Sequence, residues 1–410
     1  MQFGKKCLID ESLKMTYAEI NNGGIIIMKI IKNALVYAPA PLGKKDILIE
    51  GEKIVRLADK IDEYDAIDEV EKIDAGGHMV VPGYLDIHEH ITGGGGEGGP
   101  TTRVPESQLS VIVGSGVTTV VGLLGTDGIS RSLENLLEKT KSYNELGITC
   151  FMLTGSYGLP TVTLTGDAER DIMLFSQIIG VKTSMSDHRS SNITGEELIR
   201  LATAARRGGL LAGKAGFTCI HMGDSPRKLE PLFYAIDHAD VPISKFLPTH
   251  MTRNPGLFED GIEFMKRGGF IDVTAGETLE DNRKMADMLV HAFAEAGYDN
   301  MTMTSDGYGS MPKFNEKKEL IGLTYSTPKS LHQLIKVLVK EKDVPLEEAL
   351  KLLTITPARI INQTGIKGTI AAGADADLII YDDDMEVDTV FARGRLAVDH
   401  KNILMKGKFE

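Results

Sequence analysis

Two histidines one residue apart, His88 and His90, end the run Tyr84-Leu-Asp-Ile and open onto four glycines, Gly93 to Gly96, followed by Glu97. Along a strand alternate side chains point the same way, so the two imidazoles can grip one ion. Alone, the pair also reads as two unrelated polar residues at a strand end. Further residues able to bind a metal recur along later apolar runs: Lys182 in Ile178-Ile-Gly-Val-Lys, then His221, His250 and Asp306. The chain has only 10 histidines, and four of them fall at the ends of three of these runs. Each has a bland alternative, His221 and His250 as hydrogen-bonded core histidines and Asp306, in Thr304-Ser-Asp-Gly, as a turn residue. Coincidence across five strands is harder to accept than any one of these. Lys182 is the odd member, since an ammonium cannot bind a cation. Burial beside cations favours the neutral amine, which can take up CO2, and the resulting carbamate can bridge two divalent metals.

These residues need a scaffold that gathers strand ends. From residue 83 onward short apolar runs alternate with amphipathic segments. The runs are Tyr84 to His90, Val117 to Leu124, Ile148 to Thr154, Ile178 to Ser184, Thr218 to Met222, Ile243 to Pro248, Phe270 to Thr274 and Met301 to Ser305. Helical spacing marks Ser132 to Leu146, Gly195 to Arg207, Phe258 to Arg267 and Leu279 to Ala296. Eight such units predict an α/β fold, a TIM-like (β/α)8 barrel over 83–360 whose reactive groups lie at the C-terminal strand ends. Strand-like runs at Ile30 to Tyr37, Asp46 to Glu50, Lys53 to Ala58, Asp377 to Tyr381 and Val387 to Arg393 predict a small β domain built from both chain ends, 28–82 and 361–410, with turns at Pro39, Pro41, Gly43 and Gly51. A fresh start at Met28 marks residues 1–27 as a translated leader or a disordered arm.

Composition narrows the partner. Acidic residues outnumber basic ones 58 to 45, for a net charge of −13, and no basic cluster occurs, which argues against nucleic acid and anionic membranes and for a small molecule. Three scattered cysteines, Cys7, Cys150 and Cys219, suit a reducing compartment, with the cytoplasm as the default. No apolar stretch reaches membrane-spanning length.

The order His-x-His, Lys, His, His, Asp on successive strands resembles the amidohydrolase superfamily, as do Thr356-Pro-Ala-Arg and Gly373-Ala-Asp-Ala-Asp-Leu-Ile-Ile. More narrowly, His90-Ile-Thr-Gly-Gly-Gly-Gly-Glu-Gly-Gly-Pro-Thr-Thr-Arg, Gly155-Ser-Tyr, Asp187-His-Arg-Ser and Thr249-His-Met-Thr-Arg are similar to the isoaspartyl dipeptidases, the β-aspartyl peptidases. The likeness spans residues 28 to 410. It departs at Glu89, where family members can carry an apolar residue; that side chain is expected to face away from the metals.

The resemblance implies a binuclear metal hydrolase of isopeptide bonds. His88 and His90 would hold one metal, His221 and His250 the other, with carboxylated Lys182 bridging and Asp306 completing the first. Zinc is the expected ion. Asp306 would act as the base and Tyr157 would stabilise the oxyanion. Glu97 suits the substrate ammonium, and Arg189 and Arg253 its carboxylates. Gly95, Thr126 and Ser310 match positions that contact substrate. The family also implies a homo-oligomer, with an octamer among the arrangements. Two rivals remain: a cyclic-amide hydrolase of the dihydropyrimidinase or dihydroorotase type, and a non-catalytic scaffold. A neutral ring offers no ammonium for Glu97, and a scaffold needs no complete ligand set.

Overall fold

The computed structural model describes residues 28–317 and 319–410; the expected leader, 1–27, lies outside them. Eight strands run in the predicted order: β1 (Tyr84–Glu89), β2 (Val117–Gly122), β3 (Thr149–Gly155), β4 (Ile178–Met185), β5 (Phe217–Met222), β6 (Phe246–Thr249), β7 (Ile271–Thr274) and β8 (Met301–Thr304). β1 to β6 form one parallel sheet in sequential order, β7 and β8 a second parallel pair, and β7 packs against β6. The ring closes between β8 and β1. His90 N donates to Gly307 O (2.8 Å) at the top of that seam, while Leu85 N and Met303 N reach Leu353 O (2.8 Å) and Leu352 O (3.0 Å) at the bottom.

Barrel strands are buried on both faces, which explains why they read as apolar runs without alternation. Leu85, Val121, Leu153, Phe217 and Leu247, from five strands, pack together inside the ring. A larger cluster fills the space between strands and helices. The helices include Leu133–Leu146, Gly195–Ala212, Pro255–Lys266 and Leu279–Ala296. Asn254 caps the third of these by accepting from Leu257 N, with Pro255 at its first position. That cap sets the chain direction just after His250 and Arg253.

Strands from both ends of the described chain share one sheet. Leu378–Tyr381 pairs antiparallel with Met79–Pro82 on one side and Val387–Ala392 on the other, and Met79–Pro82 lies parallel to Met28–Tyr37. Met79–Pro82 then runs through Gly83 directly into β1, so the sheet anchors the strand that carries His88 and His90.

Several local expectations shift. Pro41 and Gly43, expected in turns, lie within the strand Pro41–Glu50, where Pro41 sits opposite Tyr37 at the strand's end, a position proline tolerates. Ile243–Lys245 is a 3₁₀ turn, and β6 starts only at Phe246. A hairpin absent from the sequence reading, Ser310–Phe314 with Leu320–Tyr325, follows β8.

Candidate active site

The strand ends bring the candidate metal ligands together. His88, His250 and Asp306 offer ligand atoms that all lie within 4.8 Å of one another. His90 Nε2 is 3.0 Å from Asp306 Oδ1, and Lys182 Nζ is 3.0 Å from His88 Nε2. The His221 ring centroid is 4.6 Å from that of His250. Asp306 Oδ1 is buried without a well-aligned hydrogen-bond partner. Unsatisfied lone pairs converging on histidines and a carboxylate are what a divalent cation would satisfy. Lys182 is fully buried, and burial lowers its pKa toward the neutral amine. Burial likewise holds His88, His221 and His250 well below the usual histidine range, in the neutral form a metal requires.

Neighbouring polar groups aim these ligands. Thr274 Oγ1 lies 2.6 Å from His250 Nδ1, leaving Nε2 for an ion. Asp86 accepts from His88 N (3.3 Å) and from the backbone and hydroxyl of Ser305, tying β1 to β8 directly below His88 and Asp306. Burial raises its carboxyl to about 7. His250 and Asp306 both have left-handed backbones (φ 61° and 51°), a conformation that costs non-glycine residues roughly 1–3 kcal/mol and concentrates at functional sites. His221 is bound differently from the expectation: Nδ1 meets Tyr157 OH at 2.6 Å and Nε2 meets Asp187 Oδ2 at 3.0 Å. To ligate an ion it must release one of them. Glu89 is fully buried and its carboxylate oxygens have no partner.

Every sequence-predicted site residue except His88 and Lys182 lines one cavity of about 690 Å³. The glycine loop shapes one wall. Gly93 and Gly95 have φ of 76° and 83°, and a Cβ on either would collide with backbone carbonyls of Val104 or Thr102, so only glycine fits. Buried Arg131 holds the carbonyls of Thr92 and Val104, fixing the loop at both ends. Glu97 Oε1 accepts from Ser310 (2.8 Å), Thr126 (3.2 Å) and Arg189 (3.3 Å), whereas Oε2 is buried with no partner.

Asp187 is the site residue that sequence reasoning missed. Its carboxylate grips Arg189 through Nε (3.0 Å) and an Nη (2.8 Å), and lies 3.6 Å from Arg253. Burial opposes its charge, but the bonds from His221 and Arg189 outweigh that and hold its pKa well below the carboxylate range. The two arginines are therefore oriented as a unit. The available signal was the Asp-x-Arg spacing itself, which also fits an ordinary surface loop.

A barrel whose rim carries this donor set defines the class of the protein, the amidohydrolase type of hydrolase. Residues 266–406 match the amidohydrolase family. The β-aspartyl dipeptidase of Fervidobacterium islandicum, solved in complex with the β-Asp-Leu dipeptide, is 43% identical, with a TM-score of 0.86 over 92% of this chain and 98% of that one. The chain belongs to the β-aspartyl dipeptidase family. Dihydroorotase of Staphylococcus epidermidis is 31% identical over 118 residues, 29% of this chain and only 27% of that enzyme. A D-hydantoinase, at 18% identity and a TM-score of 0.66 over 92% of this chain and 96% of that one, shares the fold.

Proposed function

We propose that this chain hydrolyses the isopeptide bond of β-aspartyl dipeptides with the help of two divalent metal ions, zinc being the expected pair. The observation that carries the reading is Glu97 Oε2, a buried acceptor left without a partner in the cavity wall beside two arginines. An isoaspartyl dipeptide presents an ammonium and two carboxylates, which is the charge pattern those groups complement.

His88, His90, Lys182, His221, His250 and Asp306 would hold the metals, with Lys182 as its carbamate: the neutral amine bonds to the carbon of CO2 and loses one proton. Such a pair lowers the pKa of water and polarises a carbonyl. The chain's own residues do the rest. Asp306 takes the proton of the attacking water and returns it to the leaving amine. Tyr157, kept protonated because burial raises its pKa, donates its O–H toward the developing oxyanion. Arg189 and Arg253 hold the carboxylates, and Gly95, Thr126 and Ser310 complete the wall around the aspartyl half.

Removing metal with a chelator should abolish hydrolysis of β-Asp-Leu, and zinc should restore it; undiminished turnover by metal-free protein would contradict the reading. The partial likeness to dihydroorotases favours a second reading, a cyclic-amide hydrolase, for which Glu97 would have no cation to bind. Two further parts of the proposal are an oligomer and a cytoplasmic setting. Support comes from the exposed apolar residues Met173, Leu174, Leu210 and Leu211 and from the free, buried Cys150 and Cys219. Among the described residues no helix is long and apolar enough to cross a membrane.

A further inference from the structure

The groups given to the aspartyl half meet at Glu97, which follows β1 and is held by Thr126 beyond β2, Arg189 beyond β4 and Ser310 beyond β8. β7 supplies none of them. Its loop nevertheless lines the same cavity through Gly276 and Glu277. The loop is fixed: Gly276 N donates to Asn282 Oδ1 (2.8 Å), and the Asn282 amide donates back to Gly276 O (3.0 Å), Asn282 being fully buried. Glu277 is half-buried. One of its oxygens accepts from Thr327 N at 3.3 Å, and no basic side chain pairs with it among the described residues.

Burial and the negative charges of Asp306 and Asp281 raise Glu277 to about 7. Glu277 lines the same cavity as Asp306, the group that returns the proton to the leaving amine. A released residue that extends toward the β7 side of the cavity passes an acid that has no counter-ion of its own among the described residues. A positive charge there would offset the burial of Glu277 and the repulsion from Asp281.

We propose that Glu277 makes the leaving-residue subsite select cationic side chains, so that β-aspartyl-lysine and β-aspartyl-arginine are preferred over dipeptides ending in neutral residues of the same length. The inference rests on the β-aspartyl reading and names which of those dipeptides the site favours.

The test compares kcat/KM for β-Asp-Lys and β-Asp-norleucine, which differ by the ammonium. The wild-type ratio should be about 10, equivalent to ~1.4 kcal/mol, at the low end for a charge-assisted bond because Glu277 is only half-buried. In Glu277→Gln the ratio should fall to within about twofold of unity, and in Glu277→Lys it should drop below one. A wild-type ratio near one, or a preference that Glu277→Gln leaves intact, overturns the proposal. Equal hydrolysis of both dipeptides sinks this inference alone. Failure to hydrolyse either sinks the β-aspartyl reading and this inference with it.

Discussion

Glu97→Gln separates substrate recognition from loop architecture. Three donors, from Thr126, Ser310 and Arg189, converge on Oε1. In the glutamine variant the amide oxygen must occupy that place, because an NH2 group there would face three donors. The NH2 is thereby forced to the position of Oε2, the buried oxygen with no partner, where it would meet the substrate ammonium as donor against donor. The loss is a charge-assisted hydrogen bond worth about 1.5–3 kcal/mol, or roughly 10- to 150-fold in kcat/KM. Little discount for solvent applies, since the Glu97 side chain is 7% exposed. The assay sets β-Asp-Leu beside N-succinyl-leucine, the same molecule without its ammonium. Losing the negative charge next to Arg189 affects both substrates alike, so the diagnostic quantity is the ratio of the two losses. Equal losses would refute the ammonium assignment and leave Glu97 as a strut of the glycine loop.

Asp187→Asn should release Arg189 from its two-pronged grip and raise KM for β-Asp-Leu about 10- to 100-fold, with kcat changed less and metal content measured to exclude an effect through His221; an unchanged KM would detach Asp187 from substrate binding. Lys182→Ala should lose most bound metal and activity, with short carboxylic acids restoring part of both; a fully metallated, active variant would remove the carbamate from the account. Glu89→Met should stabilise the protein increasingly with pH. Burial, with the nearby Asp86, raises the Glu89 pKa well above its ordinary value of 4.5. The folded state therefore keeps a proton that the unfolded state loses, and stability falls as pH rises through that interval by up to ~1.4 kcal/mol per pH unit. Methionine has no such linkage, so the difference in thermal midpoint should widen from pH 5 to pH 8. A pH-independent difference would contradict the sign.

The barrel was legible because parallel strands covered on both faces show as unbroken apolar runs, and the candidate ligands because a barrel places chemistry at strand ends. β7 and β8 show both at once, ending on Thr274 and leading to Asp306. What sequence could not show is contact between distant segments. Thr274 reads as one more β-branched strand residue until its hydroxyl meets His250. Asp187 and Glu277 look like loop acids, and their roles depend on groups that arrive from other strands. The hairpin Ser310–Phe314 with Leu320–Tyr325 was hidden for another reason. Pro312 and the mostly exposed return strand lack the apolar alternation that marks a half-buried sheet. Val70–Asp74 escaped likewise, with only Val70 buried among its five residues.

The most direct test of the central claim is a side-by-side measurement of kcat/KM for β-Asp-Leu, α-Asp-Leu and dihydroorotate on one preparation whose metal content has been determined. The charge pattern of Glu97, Arg189 and Arg253 predicts efficient cleavage of β-Asp-Leu, with α-Asp-Leu and dihydroorotate weaker by at least ~10²-fold, since each misplaces or lacks the ammonium that Glu97 awaits. Comparable or faster turnover of dihydroorotate, with two metals bound and β-Asp-Leu untouched, would contradict it and hand the site to the cyclic-amide reading.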